Sequence, residues 1–384
     1  MELHLSQRSE FIQKAEIRTM TIECDRIGGI NLAQGVCDTG VPECVVRGVE
    51  EAIAMGLNSY TRHDGIAPLR EAISRKLARD NRITVDPETE VVVSAGSTGA
   101  LYCACLALLD PEDEVVLFEP YYGYHLNTLE SVGAVARYVS MHPPDWTFSI
   151  SDLEMAITPR TRGIMVCTPS NPCGKVFSLK ELEAIRLVAE KFELFVFTDE
   201  IYEYILFDDS RHISPASLSG MRDRTITIGG YSKTYSITGW RIGYAACSAK
   251  WAERIGYIND LVYVCAPAPL QFGVARGIDG LGPTFYERLQ KQYAHKREMI
   301  CDVLEKAGLS PWVPRGAYYV LVDASNIPGS TSKAKAMFLL KKTGVASVPG
   351  DAFYHNGSGE DILRFCFAKK DEVLEEACRR LSAL

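Results

Sequence analysis

The sequence predicts an α/β fold with a large domain, built on a mainly parallel sheet between helices, and a smaller α+β domain. The first observation is that short apolar strands alternate with longer amphipathic stretches from about residue 90 to residue 247. The second is that this alternation stops near residue 280, where a long charged helix begins. Ligands of parallel sheets bind outside the carboxyl ends of the strands, so polar residues at those ends are candidates for a site.

The alternating region is assigned from its apolar runs. Strands are expected at residues 90–94, 114–119, 134–139, 163–167, 194–199, 225–229 and 243–247. Helices are expected at residues 99–109, 122–131, 179–192 and 250–261. Because the two kinds of element alternate, we expect the strands to be largely parallel and the helices to cover both faces of the sheet.

The region beyond residue 280 has a different order of elements. A long charged helix over 283–307 leads to a strand at 317–322, and a helix follows at 333–343. A strand at 362–368 and a closing helix at 371–383 complete the chain. This order is typical of a smaller α+β domain.

Composition and charge argue against several classes of protein. The net charge of −8 argues against a nucleic-acid or anionic-membrane partner. No apolar run approaches the roughly 20 residues of a membrane span, and the first ten residues lack the pattern of a secretory signal. The 12 cysteines are scattered and form no Cys-x-x-Cys, so we expect reduced thiols, a cytoplasmic protein and no zinc or other metal site.

A lysine in a loop of small and hydroxylated residues is the most informative local feature. Lys233 lies in Ser-Lys-Thr-Tyr-Ser at 232–236, and Arg241 follows inside Thr-Gly-Trp-Arg-Ile-Gly-Tyr at 238–244. The loop follows the strand 225–229, so Lys233 should emerge at a carboxyl end of the sheet. A lysine amine is unreactive at neutral pH unless burial or nearby positive charge lowers its pKa. A lone lysine of this kind would be a surface residue.

A carboxylate closes the apolar strand 194–199. Asp199 begins the run Asp-Glu-Ile-Tyr, which ends at Tyr202. A carboxylate at the end of a buried strand is costly without a cationic or hydrogen-bonding partner. Two interpretations of Asp199 remain open: a residue paired with a cationic ligand, or the N-cap of a helix that follows the strand.

Two further loops follow strands. Asn171 lies in Thr-Pro-Ser-Asn-Pro-Cys-Gly at 168–174, where a plain turn is the default interpretation. Gly96, Ser97 and Thr98 join a strand to a helix, and the N–H groups of a helix N-terminus with two hydroxyls can bind an anion. Serine and threonine also cap helices that bind nothing.

Four more positions belong to recognisable runs. Tyr122 ends Glu-Pro-Tyr-Tyr at 119–122 and is either a site residue or a core aromatic. Arg364 interrupts an apolar strand, and a half-buried arginine normally has an anionic partner. Gly35 ends Asn-Leu-Ala-Gln-Gly, and Tyr60 lies in Asn-Ser-Tyr-Thr at 58–61.

Taken together and in their order along the chain, these motifs resemble the class I/II aminotransferases that depend on pyridoxal 5′-phosphate (PLP) and have the aspartate-aminotransferase-like fold type I. The resemblance extends from about residue 30 to residue 368. It implies that Lys233 forms a Schiff base with PLP and moves the proton between the substrate Cα and the cofactor. Asp199 would keep the pyridine nitrogen protonated, and Tyr202 would bind the phenolic oxygen.

The resemblance also assigns the phosphate. Gly96, Ser97 and Thr98 would form the phosphate cup, and Arg241 would bind the phosphate as a planar cation with several donors. Tyr60 would reach the phosphate of the neighbouring subunit. The resemblance therefore implies a homodimer with shared active sites.

The remaining roles concern the ring and the substrate. Tyr122 would stack on the pyridine ring, and Asn171 would hydrogen-bond the phenolic oxygen and help to orient the substrate carboxylate. Arg364 would bind that carboxylate through two parallel hydrogen bonds. The segment that ends at Gly35 would close over the substrate.

The implied reaction is transamination of an L-amino acid with a 2-oxo acid, 2-oxoglutarate or pyruvate, by a ping-pong mechanism through pyridoxamine phosphate. The alternative is a PLP-dependent C–S β-lyase on the same fold. The resemblance also gives an N-terminal arm that forms part of the small domain at 1–45. The large PLP-binding domain would span 46–280, and the small C-terminal domain 281–384.

Two departures from the family pattern stand out. Gly230 lies where the family often has a serine on the phosphate, so one donor is lost. Gly-Val-Cys-Asp at 35–38 lacks the family's proline. Cys173 is assigned no chemistry, and Arg18 is either a gate residue or a solvated helix charge. No motif selects among aspartate, aromatic donors, methionine and glutamine.

Overall fold

The computed structural model describes residues 15–384 together with His4, Ser6 and Ser9. Its helices are α1 Glu16–Arg26, α2 Glu43–Ala54, α3 Ala67–Lys76, α4 Gly96–Leu108, α5 Gly123–Val132, α6 Ile150–Met155, α7 Leu179–Lys191, α8 Ala249–Tyr263, α9 Ala268–Gly280, α10 Pro283–Lys306, α11 Ser332–Thr343 and α12 Asp371–Leu381. Its strands are β1 Ile30–Asn31, β2 Val91–Ala95, β3 Glu114–Glu119, β4 Val135–Ser140, β5 Thr161–Cys167, β6 Phe195–Asp199, β7 Thr225–Gly230, β8 Ile242–Ala246, β9 Ser310–Trp312, β10 Tyr319–Asp323, β11 Val345–Ala346, β12 Val348–Pro349 and β13 Ile362–Cys366.

Seven strands form the central sheet in the order β2-β8-β7-β6-β5-β3-β4. Only β8 runs antiparallel to its neighbours in this sheet, as the paired residues of β2 and β7 show. The carboxyl ends of the other six strands therefore lie along one edge. Alternate side chains enter two separate cores, with Val116 and Ile164 on one face and Val115 and Met165 on the other. The predicted α/β fold with a mainly parallel sheet is confirmed.

The C-terminal strands form a second, antiparallel sheet in the order β12-β13-β10-β9. The N-terminal part of the chain joins them because β1 pairs in parallel with β11, Ile30 opposite Val345. The loop after β1 returns across the top of β13, where Cys366 N–H donates to Leu32 O at 2.7 Å. The two ends of the chain are thus held together beside the central sheet.

Local sequence explains how the elements around the sheet begin. Helix α7 starts with a capping box in which Ser178 Oγ accepts from Glu181 N–H and the Glu181 carboxylate accepts from Ser178 N–H. Helix α4 follows β2 directly, because Gly96 adopts a φ of 82° that turns the chain sharply.

None of the helices in the described part of the chain combines the length and the hydropathy that crossing a membrane requires.

Two predicted boundaries and one predicted helix cap differ from the structure for physical reasons. Helix α4 begins at Gly96 instead of residue 99, so its first turn contains the whole Gly-Ser-Thr run. Strand β10 begins at Tyr319 instead of residue 317, because Ala317 has a left-handed φ of 59° that no strand accommodates. No helix follows Asp199, whose Oδ1 instead accepts from Ile201 N–H in a turn at 3.3 Å. The interpretation of Asp199 as a helix N-cap is wrong.

Candidate active site

Most of the predicted site residues gather along the edge where the parallel strands end. They follow β2 (Gly96, Ser97, Thr98), β3 (Tyr122), β5 (Asn171), β6 (Asp199, Tyr202) and β7 (Lys233), while Arg241 precedes β8. Arg364 reaches the same place from β13, and Gly35 from the loop after β1. Two sheets and the N-terminal loop therefore meet at one site.

Lys233 is a half-buried lysine whose ammonium faces the interior of this site. Its Nζ donates to Gly35 O at 3.2 Å and lies 5.8 Å from the centre of the Tyr318 ring. Burial lowers the pKa of Lys233 below its ordinary value, and the Arg241 guanidinium contributes in the same direction. Asp199 opposes the shift. At a given pH, a larger fraction of Lys233 is therefore in the neutral, nucleophilic amine form than of a surface lysine.

Asp199 has a partner that the sequence motifs did not reveal. His125, a buried residue of α5, places its Nε2 2.9 Å from Asp199 Oδ2. One Asp199 oxygen is thus bound by an imidazole and the other by a turn N–H. His125 comes three residues after Tyr122, and this spacing on one helical face is the signal that could have found it.

A pair of tyrosines lies beside Asp199. Tyr202 Oη and Tyr319 Oη are 3.0 Å apart and share one hydrogen bond. Burial raises the pKa of both phenols, so both stay protonated at neutral pH, and the one that accepts the shared bond can donate its own O–H to a ligand oxygen. Tyr319, on β10, lies in an apolar run that gave no functional signal in the sequence.

The N-terminus of α4 and Arg241 form a compact donor cluster. A Cβ on Gly96 would lie 2.2 Å from Arg241 Nη2, so the guanidinium packs directly on the glycine backbone. Arg241 Nη1 donates to Thr238 O at 2.9 Å, which holds its plane over the helix terminus. Free N–H groups, the Thr98 hydroxyl and a guanidinium together suit an anion such as a phosphate, whereas the Ser97 hydroxyl is engaged by Gly229 O.

The departure at Gly230 has a structural explanation. Ser97 Oγ donates to Gly229 O at 3.0 Å and would lie 2.9 Å from a Cβ at position 230. The backbone of Gly243 and Ile242 would lie 3.1 Å from the same Cβ. The Ser97 side chain thus occupies the space that a serine at position 230 would need.

Arg364 is fully buried, and among the described residues it has no carboxylate partner. Its Nη1 donates to Asn171 Oδ1 at 2.7 Å and its Nη2 to Ala33 O at 2.7 Å, while Nε has no acceptor. The rings of Tyr319 and Phe353 pack against the guanidinium. A buried cation that lacks a countercharge is a receptor for an anionic ligand.

Gly35 closes the site from the N-terminal side. A Cβ at this position would lie 1.8 Å from Tyr319 Oη, so only glycine lets the backbone approach the tyrosine pair. Its carbonyl accepts from Lys233 Nζ and from Tyr318 Oη, at 3.2 Å each. This contact connects the loop after β1 to the lysine.

Three residues lie outside this cluster. Tyr60 is 84% exposed, on a surface beside the first residues of α9, and contacts none of the other site residues of its own chain. Cys173 is buried beneath the turn that carries Asn171. Arg18 lies exposed on α1, as a solvated helix charge would.

Two groups of side chains within the described residues have the composition of metal ligands. One contains His125, Cys167 and Asp199, and the other Glu200, Glu203 and His212. Both are engaged internally, since His125 bonds Asp199 and the Glu200 carboxylate bonds His212 at 2.7 Å. That the protein needs no metal stays a prediction.

Comparison with known proteins identifies the family. The profile described as aminotransferase class I and II matches residues 27–381. The chain is 35% identical over 376 residues to a probable N-succinyldiaminopimelate aminotransferase, DapC, of Mycobacterium tuberculosis, covering 95% of this chain and 94% of that protein. It is 31% identical over 380 residues to aromatic-amino-acid aminotransferase 2 of Thermococcus litoralis, covering 98% and 97%. The solved N-succinyldiaminopimelate aminotransferase from M. tuberculosis has a TM-score of 0.95 at 34% identity, with 99% of each chain covered.

The chain belongs to the class I and II aminotransferase family. It is a PLP-dependent transaminase of fold type I, as the sequence motifs predicted. The described residues fit the cofactor. A cluster of anion donors packed on a glycine backbone suits the phosphate, and a lysine of lowered pKa suits the aldehyde. The unpaired Nε of Arg364 remains available to a substrate carboxylate.

Proposed function

We propose that Lys233 is the catalytic base and cofactor lysine of this enzyme, and that Arg364 binds the substrate carboxylate. One observation carries the proposal. Lys233 Nζ and Arg364 Nη2 both donate to carbonyls of the three-residue segment 33–35, so the lysine and the anion receptor face the same small volume. An amino acid whose carboxylate is on Arg364 would bring its Cα within reach of Lys233.

The residues around that volume would each perform one task. When bound, PLP supplies an aldehyde that takes up the amino group and a ring that withdraws electrons from Cα. Asp199, backed by His125, would hold a proton on the ring nitrogen. Tyr202 and Asn171 would bind the phenolic oxygen, with Asn171 also orienting the carboxylate through Arg364. Lys233 Nζ would remove the Cα proton.

The phosphate and ring contacts complete the assignment. Gly96, Ser97, Thr98 and Arg241 would bind the phosphate, supported by the packing of the guanidinium on the Gly96 backbone. Tyr122 would stack on the ring, supported by its right-angle contact with His125, the partner of Asp199, at 5.3 Å between ring centres. Gly35 would close over the substrate.

We propose an L-amino acid as donor and 2-oxoglutarate or pyruvate as acceptor, in a ping-pong order. The two half-reactions would take place at one site because both substrates carry a carboxylate, which Arg364 would bind in turn. Relatives are named for donors as different as N-succinyldiaminopimelate and aromatic amino acids, so the donor is left to experiment.

A donor-by-acceptor panel on purified holoenzyme tests the reaction. An amino acid alone should change the cofactor absorbance in one stoichiometric turnover, and an oxo acid should then reverse the change. Lys233→Ala should slow the turnover by roughly 10³-fold or more, because the base is lost. Parent-rate turnover by Lys233→Ala would refute the assignment. Continuous release of ammonia and pyruvate without any acceptor oxo acid would favour a C–S β-lyase instead.

We also propose that the enzyme is a homodimer in which Tyr60 reaches the partner's phosphate site. Helix α2, which precedes Tyr60 in the chain, and helix α8 both end in exposed apolar side chains, and Leu261 is 82% exposed. His63 stacks on Tyr257 and ties this part of α8 to the Tyr60 loop. Several exposed apolar side chains on neighbouring elements support a protein interface.

The remaining assignments concern domains and compartment. We propose domains at 1–45, 46–280 and 281–384, supported by the confinement of the central sheet to residues 91–246 and by the pairing of β1 with β11. A cytoplasmic location is proposed because 12 cysteines are free thiols, most of them buried in the cores.

A further inference from the structure

The loop after β1 binds the active site through four consecutive carbonyls. We call residues 32–37 the strap. The donors are Arg364 Nη2 to Ala33 O at 2.7 Å, Lys369 Nζ to Gln34 O and to Val36 O at 3.4 Å each, and Lys233 Nζ and Tyr318 Oη to Gly35 O at 3.2 Å each. Three of these donors are cationic. A neutral backbone donor, Cys366 N–H, also holds the start of the strap through Leu32 O, so positive charge acts on the three carbonyls of 33–35 and on Val36 O.

Lys369 stands apart from the other two cations. It follows β13 and is 8% exposed, and among the described residues no carboxylate lies within ion-pair distance of it. Its described acceptors are the two strap carbonyls, and the thiols of Cys24 and Cys366 lie nearby. A buried ammonium without a countercharge is expensive, so a merely structural role would be served better by an apolar residue.

The other two cations cannot hold the strap during the reaction. In the proposed function Arg364 turns to the substrate carboxylate, and Lys233 Nζ is occupied by the cofactor or by the Cα proton. The first event weakens the hold on Ala33 O, because the Arg364 guanidinium is then shared with the carboxylate, and the second removes the Lys233 donor from Gly35 O. Lys369 contacts neither the cofactor residues nor the Arg364 guanidinium through hydrogen bonds, so its two contacts with the strap persist.

We propose that Lys369 is a positioning residue: it keeps the strap in place when Lys233 and Arg364 engage their ligands. This inference rests on the proposed function, since it needs both cations to be drawn away. Lys369 fixes Gln34 O and Val36 O on either side of Gly35. Gly35 is thereby kept against Tyr319, over the volume where the substrate binds.

The expected kinetic effect distinguishes positioning from simple loss of stability. If Lys369→Met lowers the fraction of molecules with the strap in place about tenfold, the apparent affinity for substrate falls by the same factor. KM for the amino donor should then rise about tenfold, while kcat at saturation changes less than about twofold. A structural defect would instead lower the amount of active enzyme, which reduces kcat and leaves KM unchanged.

Hydrogen exchange of the holoenzyme supplies a readout independent of turnover. In Lys369→Met the amides of peptide 31–40 should exchange about tenfold faster than in the wild type, with the rest of the chain unchanged. Lys370→Met is the matched control, because Lys370 is the exposed neighbour, and its strap exchange and KM should equal those of the wild type.

Unchanged strap exchange together with unchanged KM in Lys369→Met would overturn the inference, even if the thermal midpoint falls. Should Lys369→Met fail to fold, Lys369→Gln is compared instead, because it retains an N–H donor but no charge. It should show a smaller increase in exchange, and wild-type exchange in that variant would equally overturn the inference. If the inference about Lys369 fails in either variant, turnover still requires Lys233. If the proposed function fails, the Lys233→Ala variant turns over at the parent rate.

Discussion

At the scale of single residues, the site lowers the pKa of one lysine by burying it in a positively charged surrounding. Lys233 shares its edge of the sheet with Arg241 and Arg364, and burial is the largest cause that lowers its pKa. The Arg241 charge adds to this effect, and Asp199 partly offsets it. The same charges that would bind phosphate and carboxylate therefore also prepare the amine for its reaction.

The pH dependence of cofactor uptake tests this pKa shift. Below the pKa of Lys233 the neutral fraction, and hence the rate at which apoprotein combines with PLP, should rise about tenfold per pH unit. Because the pKa lies below 10.5, the rate should level off below that pH. Stopped-flow absorbance measures this rate. Lysine acetylated at its α-nitrogen, which keeps a free side-chain amine, is the reference with an unshifted pKa. A rate that still rises above pH 10.5 would contradict the shift.

Gly230 offers a second test at residue scale. The Cβ of a serine at this position would lie 2.9 Å from Ser97 Oγ. Gly230→Ser should therefore lower the free energy of unfolding of the apoprotein by about 1–2 kcal/mol. Ser97→Ala removes the obstructing atom, so the double variant should lose less than the sum of the two single changes. Denaturant unfolding of all four proteins measures the coupling, and strict additivity would show that Ser97 does not occupy that space.

Residues that lie within a sequence motif could be predicted. Residues that reach the site only through the packing of distant elements could not. Lys233 and Arg364 could be predicted as site residues because their neighbours in sequence are informative. His125, Tyr319 and Lys369 enter the site from a helix, a strand of the second sheet and a C-terminal loop. Their positions depend on how these elements pack, and a local pattern does not encode that packing.

At the scale of elements, the direct junction of β2 with α4 creates the donor cluster. The strand ends at Ala95, and the helix begins at Gly96 without an intervening loop, so the free N–H groups of α4 point along the edge of the sheet. The macrodipole of a 13-residue helix adds partial positive charge at the same point.

Substitution at this junction should weaken PLP binding. Gly96→Ala adds a Cβ 2.2 Å from Arg241 Nη2 at a positive φ, so we expect the Kd for PLP to rise about tenfold or more. Gly239→Ala is the matched control in a neighbouring loop, since its Cβ would meet no atom within 4 Å. Fluorescence titration of apoprotein gives both constants, and equal affinities in the two variants would argue against a phosphate site at the junction.

Long elements were predictable and very short ones were not. The apolar runs of β3 to β7 and the periodicity of α7 and α10 gave their positions within a few residues. Strands β1 and β11 contain two residues each and exist only because they pair with each other across more than 300 positions. Such strands carry no periodic pattern, since their stability comes from a partner far away in the sequence.

At the scale of the whole molecule, the active site lies where a parallel sheet, an antiparallel sheet and the N-terminal loop converge. Arg364 on β13 bonds Asn171 after β5, so one hydrogen bond of 2.7 Å joins the two sheets at the site. A substrate carboxylate on Arg364 would therefore act on the contact between the two sheets as well as on the chemistry.

Hybrid dimers test the proposed sharing of active sites. Lys233→Ala and Tyr60→Ala should each be impaired, but a dimer with one chain of each kind should contain one site with both wild-type residues. After unfolding and refolding an equal mixture, about a quarter of all sites should be intact if chains pair at random. Steady-state assay of the mixture measures the recovery. An absence of recovery would place Tyr60 in the active site of its own chain, and an unimpaired Tyr60→Ala variant would place it outside the active site.

The central claim is that Lys233 carries PLP, and one measurement tests it directly. Holoenzyme is reduced with borohydride, which converts the carbon–nitrogen double bond between lysine and cofactor into a stable bond, and the modified peptide is identified by mass spectrometry. We expect a single modified residue, Lys233, and no stoichiometric modification in Lys233→Ala. Stoichiometric modification of another lysine, or none in the wild type, would contradict it.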